Sequence, residues 1–519
     1  MNRMSMINAF DPTRSDALDP TTRSLIERRL RVLGPAYRLF YEEPLHLVRG
    51  EGVWLYDANG AAYLDAYNNV ASLGHAQPDV VRAISEQSAT LVTHTRYLHE
   101  GILRLAERLL ATMPAEMGHV MLTCTGSEAN DLAYRLARTV TGNRGVIVTN
   151  LAYHGVTQAV AEFSPSLGAG VPIGNHVRVI PPPDAYHSDG DVATQFAQSV
   201  TAAAADLSAA GHGLAMFIVD SIFSSDGVYA DPPGFLAPAV AAARAAGGIY
   251  VADEVQPGFG RTGAAMWGFE RHGLIPDLVT MGKPMGNGYP VAALVAQPRH
   301  LEKFGRDARY FNTFGGNPVA AAAANAVLDV IEREHLIRHA AEVGAYLLKG
   351  LSELADRHPR IGDVRGAGLF VGAELVQDRA SREPDRDLAT QVVNGLRQRR
   401  ILLSASGPGG NVLKIRPPLA FQRPHADTLL SALDEVLTLG RGSRTLPTLH
   451  AGRAMTSARS TQVPAQILLH ARSHVGRKSR IGQQSLRRRN SFIARTRVIR
   501  RYGKLVQRRP LVGRRIDEQ

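Results

Sequence analysis

A single cysteine, Cys124, stands in 519 residues. That excludes an internal disulfide framework, cysteine-based zinc or iron–sulfur sites, and redox chemistry on cysteine pairs. No metal site is expected. No run of eighteen apolar residues occurs, so no membrane-spanning helix is expected. The opening MNRMSMINAFDPTRSD lacks the apolar segment and small-residue cleavage site of a secretory signal, which makes the cytoplasm the expected compartment. No internal repeat is evident, and no GxGxxG follows a strand-like run, so a dinucleotide fingerprint is missing.

Acidic residues are scarce in one region only. Residues 441–519 hold 20 Lys+Arg and 2 Asp+Glu, a balance of +18 against a chain total of +12, so residues 1–440 carry −6. The body is mildly acidic and the tail strongly basic. A polyanion-seeking surface is therefore not implied for the body. The tail (RKSR, RRR, RVIRR, QRRP, GRR) has lost hydrophobic periodicity and is expected to be disordered. Such a segment could hold a phosphate backbone, but it has few interleaved aromatics and no accompanying module, so nucleic acid is not the expected partner.

The body is long enough for a large core in more than one domain. From about residue 100, short apolar runs alternate with helical segments, the pattern of a largely parallel sheet covered on both faces. The expected strands are 120–123, 146–149, 216–219, 249–252, 278–281 and 291–295. An N-terminal helix at 21–33 precedes a hairpin within 47–65. A long Ala-rich helix opens at 319, followed by a helix near 338–356, strands in GLFVGAEL and NVLKIRP, and a last helix at 424–439. The fold class is α/β, a large mixed and mostly parallel sheet domain plus a small α+β domain drawn from both termini. The boundaries read 1–70 for the N-terminal segment and part of the small domain, 71–318 for the large domain, 319–440 for the linking helix and the rest of the small domain, and 441–519 for the tail.

Two charged residues end apolar runs: Asp253 after 248–252, and Lys283 just past 278–281. Strand carboxyl ends are where open α/β sheets build ligand sites. Thr125-Gly126-Ser127 opens a helix after a strand, a suitable anion site or simply an N-cap. Tyr153-His154-Gly155 follows the next strand and offers a ring for stacking, or ordinary packing. Thr313 precedes the Gly315-Gly316 turn that opens the Ala-rich helix, a further anion contact or only a cap. Taken singly, each has a structural reading.

Their order carries more. The segments TGSEANDLAYRLAR (125–138), YHG (153–155), ADEVQPGFGRTG (252–263), VTMGKPMGNGYPVAAL (279–294), FNTFGGNPVAAAAA (311–324) and VRGAGLFVGAEL (364–375) resemble the class III pyridoxal-phosphate-dependent aminotransferases of fold type I. The resemblance covers about residues 35–438. It implies that pyridoxal 5′-phosphate is the cofactor and that Lys283 carries it as a Schiff base. Asp253 would pair with the pyridinium nitrogen and Gln256 with the phenolic oxygen, while Tyr153, beside His154, would lie on the ring. Gly126 and Ser127 would hold the phosphate from one subunit and Thr313 from the other, in a homodimer with shared active sites.

The implied activity is amino transfer from an amine or amino acid to a keto acid. The substrate wall departs from the family, because Lys414 in NVLKIRPPL (411–419) aligns with the usual carboxylate-binding arginine. Arg416 stands on the same strand face, about 6.6 Å further along. Asn69 and Val70 in YNNVA (67–71), TMGKPMGNG, and the LLSA, GP and NVLKI elements of 402–418 resemble the subgroup of phospholyases that act on phosphoethanolamine or phosphohydroxylysine. Phosphate elimination is accordingly the alternative activity. Asp220 stands where many members of the class have Glu.

Overall fold

Six strands that run in one direction, most of them apolar runs between helices, set the frame. In the computed structural model, which describes residues 8–439, they belong to a seven-stranded sheet. Its order is His119–Thr123, Ala292–Ala296, Leu278–Met281, Ile249–Asp253, Leu214–Val219, Gly145–Thr149 and Val177–Ile180. Ala292–Ala296 runs antiparallel to both neighbours and the remaining pairings are parallel. Six of these strands are the expected ones. Val177–Ile180 was not anticipated: it is a short edge strand whose middle residues, Arg178 and Val179, are not buried, so it lacks the continuous apolar run of a central strand.

Because Ala292–Ala296 alone is reversed, six strands end on one edge of the sheet. The chain segments leaving that edge carry Gly126, Tyr153, Asp220, Asp253 and Lys283. The helix Gly126–Thr141 covers the sheet with a buried face of Ala129, Leu132, Ala133, Leu136 and Ala137, the face predicted by 3.6-residue spacing. A reciprocal capping box of Thr125 and Glu128 fixes where this helix begins.

Two four-stranded sheets complete the body. One orders Leu47–Glu51, Trp54–Asp57, Ala62–Asp65 and Ile401–Leu402, the last of these a C-terminal strand lying parallel to an N-terminal one. The other is antiparallel: Ile361–Ala367, Phe370–Leu375, Val412–Ile415 and Ser404–Ser406. The Ala-rich helix Pro318–Arg333 is capped by Asn317 and buried along most of its length; its small side chains let it pack against the helix Pro78–Thr90. No helix among the described residues is long and apolar enough to cross a membrane. The basic run 441–519 lies outside the described residues.

Candidate active site

Two adjoining cavities, of about 340 and 440 Å³, open at the common strand edge and share Val70 and Lys283 in their walls. The first is lined by Gly126, Ser127, Tyr153, His154, Asp220, Asp253 and Gln256 among others, and the second by Asn69 and Arg416. Residues far apart in sequence are thus brought into one site.

Asp253 is the last residue of its strand and is buried. Its Oδ2 accepts hydrogen bonds from Asn130 Nδ2 at 2.9 Å and from His154 Nδ1 at 2.7 Å, while Oδ1 accepts from the Val255 amide at 3.1 Å. Asn130 also donates to the His154 carbonyl and accepts from Thr280 Oγ1 at 2.6 Å. Three donors converge on the carboxylate in a buried setting and fix its orientation. By sequence Asn130 reads as an early-helix residue suited to the helix dipole; the structure instead buries it as the polar residue on an otherwise apolar helix face.

Lys283 follows Gly282 at the strand end and begins a short 3₁₀ turn at φ +24°, a conformation in which non-glycine residues are strained. Its Nζ lies 5.8 Å from the centre of the Tyr153 ring and makes no hydrogen bond or ion pair among the described residues. Burial around it pulls the ammonium pKa below the ordinary lysine value, more than Asp253 raises it. A lysine in this state has a larger neutral, nucleophilic fraction near pH 7.

Gly126 and Ser127 form the first turn of their helix, where backbone N–H groups lack intrahelical acceptors. Gly155 packs against Ser127 so closely that a Cβ on it would lie 2.5 Å from Ser127 Oγ. Its φ of +147° also favours glycine. Thr313 is exposed and does not line either cavity.

On the substrate wall, Gln256 Oε1 accepts from both Asn69 Nδ2 at 2.6 Å and Arg416 Nη1 at 2.5 Å. The Arg416 guanidinium lies over the Tyr67 ring at 4.3 Å, and its buried Nε has no partner. Lys414 is buried and has neither a hydrogen-bond partner nor an ion pair among the described residues. Burial and the Arg416 charge push its ammonium down to about 7, with Asp220 and Asp226 opposing. The strand ends at Ile415, and the Arg416 amide donates to Ala66 O. The expected shared face is therefore only partly kept: Arg416 lines the cavity and Lys414 does not.

Asp220, noted in the sequence only as a departure, lines the first cavity. Its carboxylate is turned back on its own loop, accepting from the Ile222 and Ser224 amides and from Ser224 Oγ at 2.6 Å. Arg261 was missed. It is fully buried and donates to Leu369 O, Pro417 O and Ser72 Oγ, tying three segments of the wall together. Its signal exists only in three dimensions.

Comparison with known proteins agrees with this geometry. The profile of aminotransferase class-III matches residues 40–437. The chain is 44% identical over 446 residues to a Drosophila melanogaster alanine–glyoxylate aminotransferase 2-like protein, covering 83% of this chain and 90% of that one. It is 36% identical to ethanolamine-phosphate phospho-lyase homolog 1 of Caenorhabditis elegans, covering 85% and 98%. Among solved structures it resembles an Arthrobacter phospholyase in complex with phosphoethanolamine, with a TM-score of 0.78, 45% identity, and coverage of 80% of this chain and 99% of that one. Fold, site edge and sequence agree, and the chain belongs to the class-III aminotransferase family, enzymes that generally use pyridoxal phosphate and include both transaminases and phospholyases.

Proposed function

We propose that this protein is a pyridoxal-phosphate-dependent phospholyase that eliminates phosphate from a small phosphorylated amine such as phosphoethanolamine. The residues present fit the cofactor. A desolvated lysine amine without a hydrogen bond among the described residues, a carboxylate that accepts from three donors, an aromatic ring beside the lysine and a glycine-lined helix start surround one cavity. In this reading Lys283 carries the cofactor and Asp253 pairs with the ring nitrogen. Gln256 and Tyr153 contact the ring, and Gly126 and Ser127 hold the phosphate. The bound cofactor supplies an electron sink that acidifies the proton on the substrate carbon bearing the amine.

Lys283 Nζ is then the base within the cavity that takes this proton. The bond between the neighbouring carbon and the phosphate oxygen breaks with its electron pair on the departing phosphate. The enamine left behind hydrolyses to an aldehyde and ammonia. The observation that carries the choice of phosphate is the buried Arg416 guanidinium in the cavity wall, with the buried Lys414 ammonium two residues away adding positive charge behind it, neither having a carboxylate partner among the described residues. A dianion needs more positive charge than one carboxylate does. Likeness over nearly the whole of the phosphoethanolamine-bound phospholyase supports the same substrate class.

A second reading, amino transfer to a keto acid, is favoured by one feature: the Arg416 fork with its free Nε also suits an α-carboxylate. Incubation of the holoenzyme with phosphoethanolamine alone separates them. Sustained release of inorganic phosphate without a keto acid is expected; turnover that strictly requires a keto acid would overturn the lyase.

We also infer a homodimer with shared sites. Leu98 (97% exposed) and Phe314 (71%), with Tyr97 and Val156, leave apolar loop surface exposed, and Thr313 adjoins Phe314. Light scattering at micromolar protein should give twice the chain mass, and a monomer would sink the inference.

A further inference from the structure

Resting on the anion-binding role just proposed for Arg416, we infer that Gln256 links the occupancy of that anion site to the electronic state of the bound cofactor. Three observations carry it. First, Gln256 lines the cavity that also contains Lys283 and Asp253, and through Oε1 it is the hydrogen-bond acceptor for Arg416 and Asn69. Arginine can only donate, so the amide orientation is fixed: oxygen toward Arg416, nitrogen away from it. Second, of the five Arg416 N–H donors, the one hydrogen bond to a side chain among the described residues is this bond to a neutral oxygen, and the buried Nε is unpartnered there. The guanidinium is held in orientation without being neutralised, so an arriving anion competes with an amide and not with a carboxylate. Third, no salt bridge involves Arg416 among the described residues, so Gln256 is its main polar anchor.

An anion that takes the Arg416 fork removes the charged donor from Gln256 Oε1. The amide is then less polarised and its Nε2–H groups become weaker donors, because hydrogen bonds in series strengthen one another. Gln256 shares its cavity with the cofactor lysine, so this change reaches the cofactor's surroundings. Anion arrival thereby alters the cofactor before any bond is broken.

The probe is inorganic phosphate added to the pyridoxal-phosphate holoenzyme at fixed pH, followed by calorimetry and by the visible absorption band. In the wild type a saturable difference spectrum is expected, with its half-point at the calorimetric Kd. In Gln256→Leu, phosphate should bind within about threefold of wild type or tighter, since a competitor is gone, while the difference spectrum falls at least about fivefold. Should that variant not fold, Arg416→Lys keeps the charge but loses the fork, and it should give a smaller spectral change per phosphate bound. Phosphate that binds the wild type without altering its spectrum overturns the link and leaves the anion site standing. Failure of phosphate to bind at all overturns both the link and the anion reading. A Gln256→Leu protein with the full difference spectrum also overturns the link.

Discussion

Replacing Lys414 with Met should make the ligand-free protein more stable, and by an amount that depends on pH. Lys414 is buried without a hydrogen bond or ion pair among the described residues, and burial brings its ammonium from 10.5 down to about 7. A base depressed in the folded state contributes stability that is present above its unfolded value and lost as pH falls through the folded one. At about 1.36 kcal/mol per tenfold change in proton affinity, the cost is at most about 5 kcal/mol at pH 6 and about 2 kcal/mol at pH 9. Methionine keeps most of the unbranched stem's packing and removes the charge.

The assay is thermal unfolding of wild type and Lys414→Met across this range. With unfolding entropy scaling with chain length, a change of 1 kcal/mol moves Tm by about 1 °C here. The variant should therefore melt about 5 °C higher at pH 6 and about 2 °C higher at pH 9. Inorganic phosphate should raise the wild-type Tm more than that of the variant, because ligand that binds only the folded state stabilises it by mass action. A Tm gap of constant size would mean that packing alone had changed. A variant less stable than its parent at pH 6 would mean that Lys414 is stabilised by a partner. Either result refutes the reasoning.

Other changes probe the remaining parts. Gly155→Ala forces a Cβ to 2.5 Å from Ser127 Oγ at φ +147°; it should cost about 1–3 kcal/mol and weaken cofactor retention on dialysis, and unchanged retention would argue against this glycine contact. Glu254 is buried and its carboxyl is pushed up to about 8 from 4.5, so wild-type stability should fall as pH rises between those values. Glu254→Gln loses an acceptor, at about 1–3 kcal/mol, but should abolish that slope in pH-dependent denaturation. Asp220→Glu, one methylene longer, should leave its own turn and pair with Lys414, lowering phosphate affinity about tenfold by calorimetry; equal affinity would detach Asp220 from the anion site. Deleting 441–519, beyond the family match that ends at 437, should leave visible absorption and turnover intact.

What the sequence made legible follows from how local each signal is. Asp253 and Lys283 announce themselves because each ends an apolar run, and a strand end is a defined place in an α/β sheet. The buried face of Gly126–Thr141 could be read residue by residue from its period. Val177–Ile180 could not, since an edge strand with a half-exposed face has no distinctive run. Nor could the two-residue strand Ile401–Leu402, which exists only because Leu64 and Asp65 lie beside it. Arg261 and the Gln256 contacts join residues more than a hundred positions apart, and no spacing in the chain encodes them. The pairing of Lys414 with Arg416 failed in part for a related reason: the strand whose alternation was used stops at Ile415.

The charge pattern of the site has a single logic. Every carboxylate near the cavity is already engaged by neutral donors or a histidine. Asp253 accepts from Asn130, His154 and Val255, and Asp220 from its own turn. Asp226 accepts from Thr149 Oγ1 at 2.7 Å and Leu151 N at 2.8 Å, and Asp65 from Tyr67 N, Asn68 N and His75. None forms an ion pair with Lys283, Lys414 or Arg416 among the described residues. Had any done so, the wall would be neutral and an arriving anion would have to break a buried ion pair, a costly step in a low dielectric. Leaving the cations unpaired places the cost at the buried Lys414 instead, and the proposed dianion would relieve it. The predicted gain in stability on removing Lys414 and the proposed grip on phosphate are therefore two readouts of one unpaired charge.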